Sequence, residues 1–132
     1  MVERKMVGSG VSWEEEFGYS RAVRVGDRIL VSGTTATGPE GLVARGDAAG
    51  QARYALDKIE KAINALGGTL GDVVRTRIFV ASVNDWKAIA SVHGERFGKI
   101  RPANTLVRAD LIGEEYLVEI EAEAVIGSAT SE

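Results

Sequence analysis

Apolar and polar residues alternate over LVEIEAEAVI, residues 117–126. In a β-strand this pattern puts Val118, Ile120, Ala122, Ala124 and Ile126 on one face and Glu119, Glu121 and Glu123 on the other. An antiparallel sheet covered on one side has this character. DVVRTRIFV is rich in β-branched residues and predicts a second strand, with Val74, Thr76, Ile78 and Val80 on one face and Arg75, Arg77 and Phe79 on the other. RAVRVGDRILVSG reads as a hairpin, because two apolar runs flank the turn residues of Val25-Gly26-Asp27-Arg28. Thr37-Gly38-Pro39-Glu40-Gly41 reads as a further turn or loop.

From Asp47 the period changes. Ala52, Ala55, Leu56, Ile59, Ala62, Ile63 and Leu66 recur at spacings of three and four, predicting a helix capped by Asp47 and stopped by Gly67-Gly68. A second helix, opened by Asn84 or Asp85, carries the stripe Trp86, Ile89, Ala90, His93 and Phe97 and ends before Arg101-Pro102. ANTLVRADL is a last strand candidate, and Gly113-Glu114-Glu115 turns into the alternating segment. The order predicts an α+β fold, a mixed β-sheet with two helices packed on one face. Parity then places Arg75 and Arg77 on the open face with the three glutamates. Asn104, Leu106 and Arg108 join them if the proline-led strand keeps register. That face is either solvated or partly occluded by a partner or ligand. Residues 1–17 read as an irregular arm, 18–127 as a single domain and 128–132 as a tail.

Length and composition narrow the chemistry. A chain of 132 residues suffices for one core without metal or disulfide. With no cysteine, thiolate nucleophiles and sulfur-based zinc sites are excluded, and the lone His93 cannot build a histidine-rich metal site. His93 on an apolar stripe reads as a packed residue, and Glu14-Glu15-Glu16 as a solvated run. There is no membrane-length apolar run and no signal-peptide block in MVERKMVGSG, so the expected location is cytoplasmic. The net charge of −3 argues against a nucleic-acid partner.

Several strings in this order resemble the RidA family, also called the YjgF/YER057c/UK114 family. They are Gly18-Tyr19-Ser20-Arg21-Ala22-Val23, Val31-Ser32-Gly33, Gln51-Ala52, Gly71-Asp72-Val73-Val74-Arg75-Thr76 with Phe79-Val80, Asn84-Asp85-Trp86, Arg101-Pro102-Ala103 and Val118-Glu119-Ile120-Glu121-Ala122. The resemblance implies a chorismate-mutase-like subunit in a homotrimer, with ligand clefts between subunits and the acidic face turned inward. It also implies cofactor-free hydrolysis of enamines and imines, such as 2-imino acids, to 2-keto acids and ammonia.

By motif, the resemblance makes Glu119 the residue that positions or activates water, Tyr19 a cleft-lining aromatic, and Ser32-Gly33 the small segment beside the ligand. Deaminating members usually read Pro-Ala-Arg, and that arginine forks the substrate carboxylate. This chain reads Pro102-Ala103-Asn104. Asn104, with Leu106 beside it, therefore holds the substrate-binding position without a charge. Arg77 and Arg108, by parity, and Arg21 and Arg101, which flank motifs, are the candidate replacements. Two other functions stay open: a non-catalytic metabolite-binding protein, favoured by Asn104, and, ranked last, an endoribonuclease or translation inhibitor.

Overall fold

A computed structural model describes residues 2–129. Its elements run β1 (Arg4–Val7), α1 (Ser12–Phe17), β2 (Ala22–Val25), β3 (Arg28–Thr34), β4 (Thr37–Gly38), β5 (Gly41–Leu42), α2 (Ala48–Ala65), β6 (Val73–Val80), α3 (Trp86–Phe97), β7 (Ala103–Arg108) and β8 (Val118–Val125). Six strands make one mixed sheet in the order β1-β2-β3-β8-β6-β7, and β4 with β5 forms a small separate ladder. Among the described residues only β6 and β7 pair in parallel, which fits their connection through α3.

The alternation in β8 is borne out: Val118, Ile120, Ala122 and Ala124 are buried, while the three glutamates between them are partly exposed. The helix that begins at Asp47 also forms, its Asp47 side chain accepting from the Gly50 backbone N–H. Its apolar stripe packs on β8 and β3, and Leu56, Ile59 and Ile63 are fully buried there. Each such side chain contributes about 1.5–3 kcal/mol relative to exposure. In α3 the buried stripe is Ile89, Val92 and Phe97; Trp86 is exposed. Asp85 stands at the N-cap of α3 without a capping bond, and Ser82 Oγ instead accepts from Asn84 N at 3.2 Å ahead of it.

Three expectations are corrected. Residues 1–17 are not an irregular arm throughout: Arg4–Val7 pairs antiparallel with β2, and Ser12–Phe17 forms a short helix. Val74 is exposed because the register slips between Val73 and Arg75, so Val73 takes the core position. Most consequential for function, β7 pairs Asn104 with Thr76, Leu106 with Ile78 and Arg108 with Val80. Residues opposite one another share a face, so Asn104, Leu106 and Arg108 lie on the helix-covered side, away from the glutamates. The residues set beside Arg75, Arg77 and Phe79 are Ala103, Thr105 and Val107.

Two polar groups knit the interior. Gln51 is fully buried; its amide donates to Ala44 O and Glu115 O, and its oxygen accepts from Leu117 N at 2.8 Å. Asp72 accepts from Thr69 N, Gly127 N and Ala129 N, tying the end of β8 to the start of β6. Of the tail read over 128–132, residues 130–132 lie outside the described residues. Ser128 and Ala129 are fastened to Asp72.

Candidate active site

Glu119 lies on the central strand β8 with β3 and β6 on either side. Its register partner on β6 is Phe79. On the β3 side the pairing shifts between Val31, opposite Ala122, and Thr34, opposite Ile120. Three steps along β3 thus match two along β8, which is a β-bulge with one extra residue at Ser32-Gly33. The Glu119 carboxylate rests against Gly33: a Cβ added to that glycine would overlap Glu119 Oε2 and sit 3.0 Å from its Cδ. Gly33 is glycine because the carboxylate needs the space, not because of an unusual φ.

Arg21 reaches the same glycine, its Nη2 donating to Gly33 O. Ser32 N donates to Arg21 O at 3.0 Å, and Ser32 Oγ to Ser20 O at 2.7 Å, so the bulge and the segment before β2 are locked together. From α2, Lys58 Nζ donates to Thr35 O at 3.1 Å and Thr37 O at 2.9 Å. Tyr116 OH accepts from Thr37 Oγ1 at 2.9 Å. Two cations and a carboxylate are thereby gathered where α2 meets the end of β3.

Burial raises the Glu119 carboxyl above the ordinary range; nearby Arg21 opposes the rise and Glu121 adds to it. Burial lowers Lys58, reinforced by repulsion from Arg21. Arg21 is lowered by burial too, against the attraction of Glu14, Tyr19 and Glu119, and as a guanidinium it remains charged. A half-buried carboxylate with a raised pKa is suited to accepting a proton from water near neutral pH.

The other acidic residues of β8 are differently placed. Arg77 Nη1 donates to Glu121 at 3.0 Å and Glu123 at 3.3 Å, and Arg28 also approaches Glu123. Arg77 is therefore engaged structurally, as Arg28 is in part. Among the described residues Glu119 has no ion-pair partner.

Tyr19 and Ser32 line a shallow cleft of about 490 Å³ with Glu14, Ser20, Met6 and Val23. Tyr19, Ser32, Gly33 and Glu119 are thus brought to neighbouring ground on one chain. Asn104 is held elsewhere: its Nδ2 donates to Thr76 Oγ1 at 3.0 Å, and Thr76 Oγ1 lies 2.8 Å from His93 Nε2. The hydroxyl thus links Asn104 to the imidazole, and the direction of its bond with His93 follows the ring's tautomer. Burial lowers the His93 pKa, which favours the neutral ring. Leu106 packs at the core's margin and Arg108 is exposed at the sheet's edge. Lys58 was not legible as a site residue, since nothing distinguishes it from other polar positions of the helix.

The family model described as Endoribonuclease L-PSP matches residues 12–126. The chain belongs to the RidA family. RidA relatives extend over nearly its whole length. An uncharacterized Streptomyces coelicolor protein is 39% identical, with 96% of each chain covered. The 2-iminobutanoate/2-iminopropanoate deaminase of Escherichia coli is 31% identical over 81% of this chain and 86% of that protein. The crystal structure of a Mycobacterium tuberculosis member of the YjgF/YER057c/UK114 family superposes with a TM-score of 0.85 at 46% identity, covering 94% of this chain and 100% of that one. The α+β architecture with a mixed sheet matches this RidA fold. Among the described residues no helix is long and apolar enough to cross a membrane, and no cluster of ligating side chains is assembled for a metal.

Proposed function

We propose that this RidA protein hydrolyses small enamines or imines to carbonyl compounds and ammonia, with Glu119 handling the water. The carrying observation is Glu119 itself. It is half buried, seated on a glycine, and unpaired on a strand whose other two glutamates are held by arginine. The name of the Escherichia coli relative supplies the reaction class. In the reaction, the water oxygen bonds to the imine carbon while Glu119 takes a proton from the water and returns it to the nitrogen, giving a neutral carbinolamine. Glu119 then takes the carbinolamine hydroxyl proton and passes it to the nitrogen as the C–N bond breaks, releasing ammonia and the carbonyl compound. Neither step uses a cofactor or a metal.

The assembly we propose is a homotrimer with clefts between subunits, in the cytoplasm. The open sheet face supports it: Met6, Val25, Leu30 and Val107 are exposed there, an apolar set that a second copy would cover. In such a cleft Tyr19, Ser32, Gly33 and Glu119 come from one subunit. Asn104, Leu106 and Arg108, on the opposite face and at the far edge of the sheet, would come from its neighbour.

Freshly generated 2-iminobutanoate and a neutral imine, assayed for ammonia release with wild type and Glu119→Gln, test the reaction. We expect release by the wild type that falls by at least a hundredfold in the variant. Equal rates would place the chemistry elsewhere. Light scattering at three times the 14.0 kDa subunit mass tests the trimer, and a monomer would remove the intersubunit cleft. Binding without turnover would favour the metabolite-binding reading, for which Asn104 in place of arginine is the specific observation. RNA cleavage has less support here, because Arg77 is consumed by Glu121 and Glu123 and the chain is acidic.

A further inference from the structure

We propose that Arg21 is the residue that recognises the substrate carboxylate in this chain, in place of the absent arginine at Asn104. The inference rests on the imine-hydrolase reading above. A 2-imino acid carries its carboxylate one C–C bond, about 1.5 Å, from the carbon that water attacks. A group that holds the carboxylate must therefore stand within a few ångströms of the group that handles the water. Arg21 and Glu119 meet that demand inside a single chain, since both adjoin Gly33: one donates to its carbonyl, the other rests on its α-carbon.

Arg21 and Glu119 do not close on one another. No ion pair joins them, although Arg77 on the same sheet grips two carboxylates. Arg21 Nε is also the one buried side-chain nitrogen or oxygen without a hydrogen-bond partner among the described residues. Buried donors are ordinarily satisfied, so this guanidinium is held without its full set of partners, beside Ser20 and Tyr19 of the cleft. Glu14, the other carboxylate near Arg21, is engaged by Ser9, whose N–H and hydroxyl both donate to it. Lys58, fixed on two carbonyls behind the site, adds positive potential that favours an anion. Asn104, by contrast, is committed to Thr76 on the other face.

Arg21→Gln keeps a shorter neutral amide but removes the charge and the fork, and Arg21→Lys keeps the charge alone. Each would be compared with wild type on 2-iminobutanoate and on a neutral imine, with 2-oxobutanoate binding measured by calorimetry. The expected result for Arg21→Gln is a ten- to hundredfold rise in KM for 2-iminobutanoate. A matching loss of 2-oxobutanoate affinity and a far smaller loss on the neutral imine should accompany it. Arg21→Lys should fall between. Equal loss on both substrates would make Arg21 merely structural and overturn the proposal. Wild type that releases no ammonia sinks the hydrolase reading. In that case 2-oxobutanoate binding decides for Arg21: binding lost in Arg21→Gln supports it, and equal or absent binding refutes it.

Discussion

Replacing Gly33 by alanine tests whether the bulge exists to seat a carboxylate. The added Cβ falls inside Glu119 Oε2, 3.0 Å from Cδ and 3.3 Å from Cγ. The obstacle is the far end of a flexible side chain rather than backbone, and Gly33 does not use a left-handed φ. Glu119 can therefore yield by rotating, and the expected loss of stability is small, about 1 kcal/mol or less. Yielding takes the carboxylate roughly 1 Å from its place, and a displacement of that size can cost about a hundredfold in rate. Gly33→Ala should thus keep its urea midpoint nearly unchanged while ammonia release from 2-iminobutanoate falls by about two orders of magnitude. Full activity would show that the exact seat of Glu119 does not matter. A midpoint that collapses together with activity would show that Gly33 serves packing alone.

Glu119 also sets a pH dependence. Its folded pKa is raised by burial, so the folded state holds this proton more tightly than the unfolded one, and stability falls as pH rises from the ordinary carboxylate range through the folded value. Glu119→Gln should be more stable than wild type at neutral pH, with the gain vanishing in acid, as followed by urea titrations across pH. His93 has the opposite sign. Its folded pKa is depressed, so stability is lost as pH falls below the ordinary histidine value near 6.5, and His93→Gln should flatten that part of the profile. Thr76→Val leaves Asn104 and His93 without their shared hydroxyl and should cost about 1–3 kcal/mol by chemical denaturation. Asp72→Ala releases three backbone N–H groups and should cost on the order of 3 kcal/mol, with the amides of Gly127 and Ala129 losing exchange protection.

Where local pattern governed the structure, the sequence was readable. The β8 alternation, the stripe of α2 and the Gly26-Asp27 hairpin each follow from side-chain period or turn chemistry, and each forms. Register was not readable. Whether Asn104 faces Glu119 or His93 depends on how β7 is set against β6, a contact across 28 residues that alternation within β7 cannot reveal. The slip at Val74 is of the same kind. Nor did α1 declare itself, because none of its residues is buried and no apolar stripe marks it. Glu119, Tyr19, Ser32 and Gly33 are candidates through motif resemblance, which no single-residue pattern would have supplied. The roles of Arg21 and Lys58 come from carbonyls that only the folded chain brings to them.

The Gln51 side chain has a kinetic consequence. Its hydrogen bonds to Glu115 and Leu117 close over 64 and 66 residues, joining the first turn of α2 to the approach to β8. Contacts of that reach form only after the two halves of the chain have met, past most of the entropic cost of closure. A truncation such as Gln51→Ala should therefore leave the refolding limb of the chevron almost unmoved and steepen the rate of escape from the native state. The lifetime of the folded subunit is then governed in part by one uncharged amide that takes no part in the chemistry.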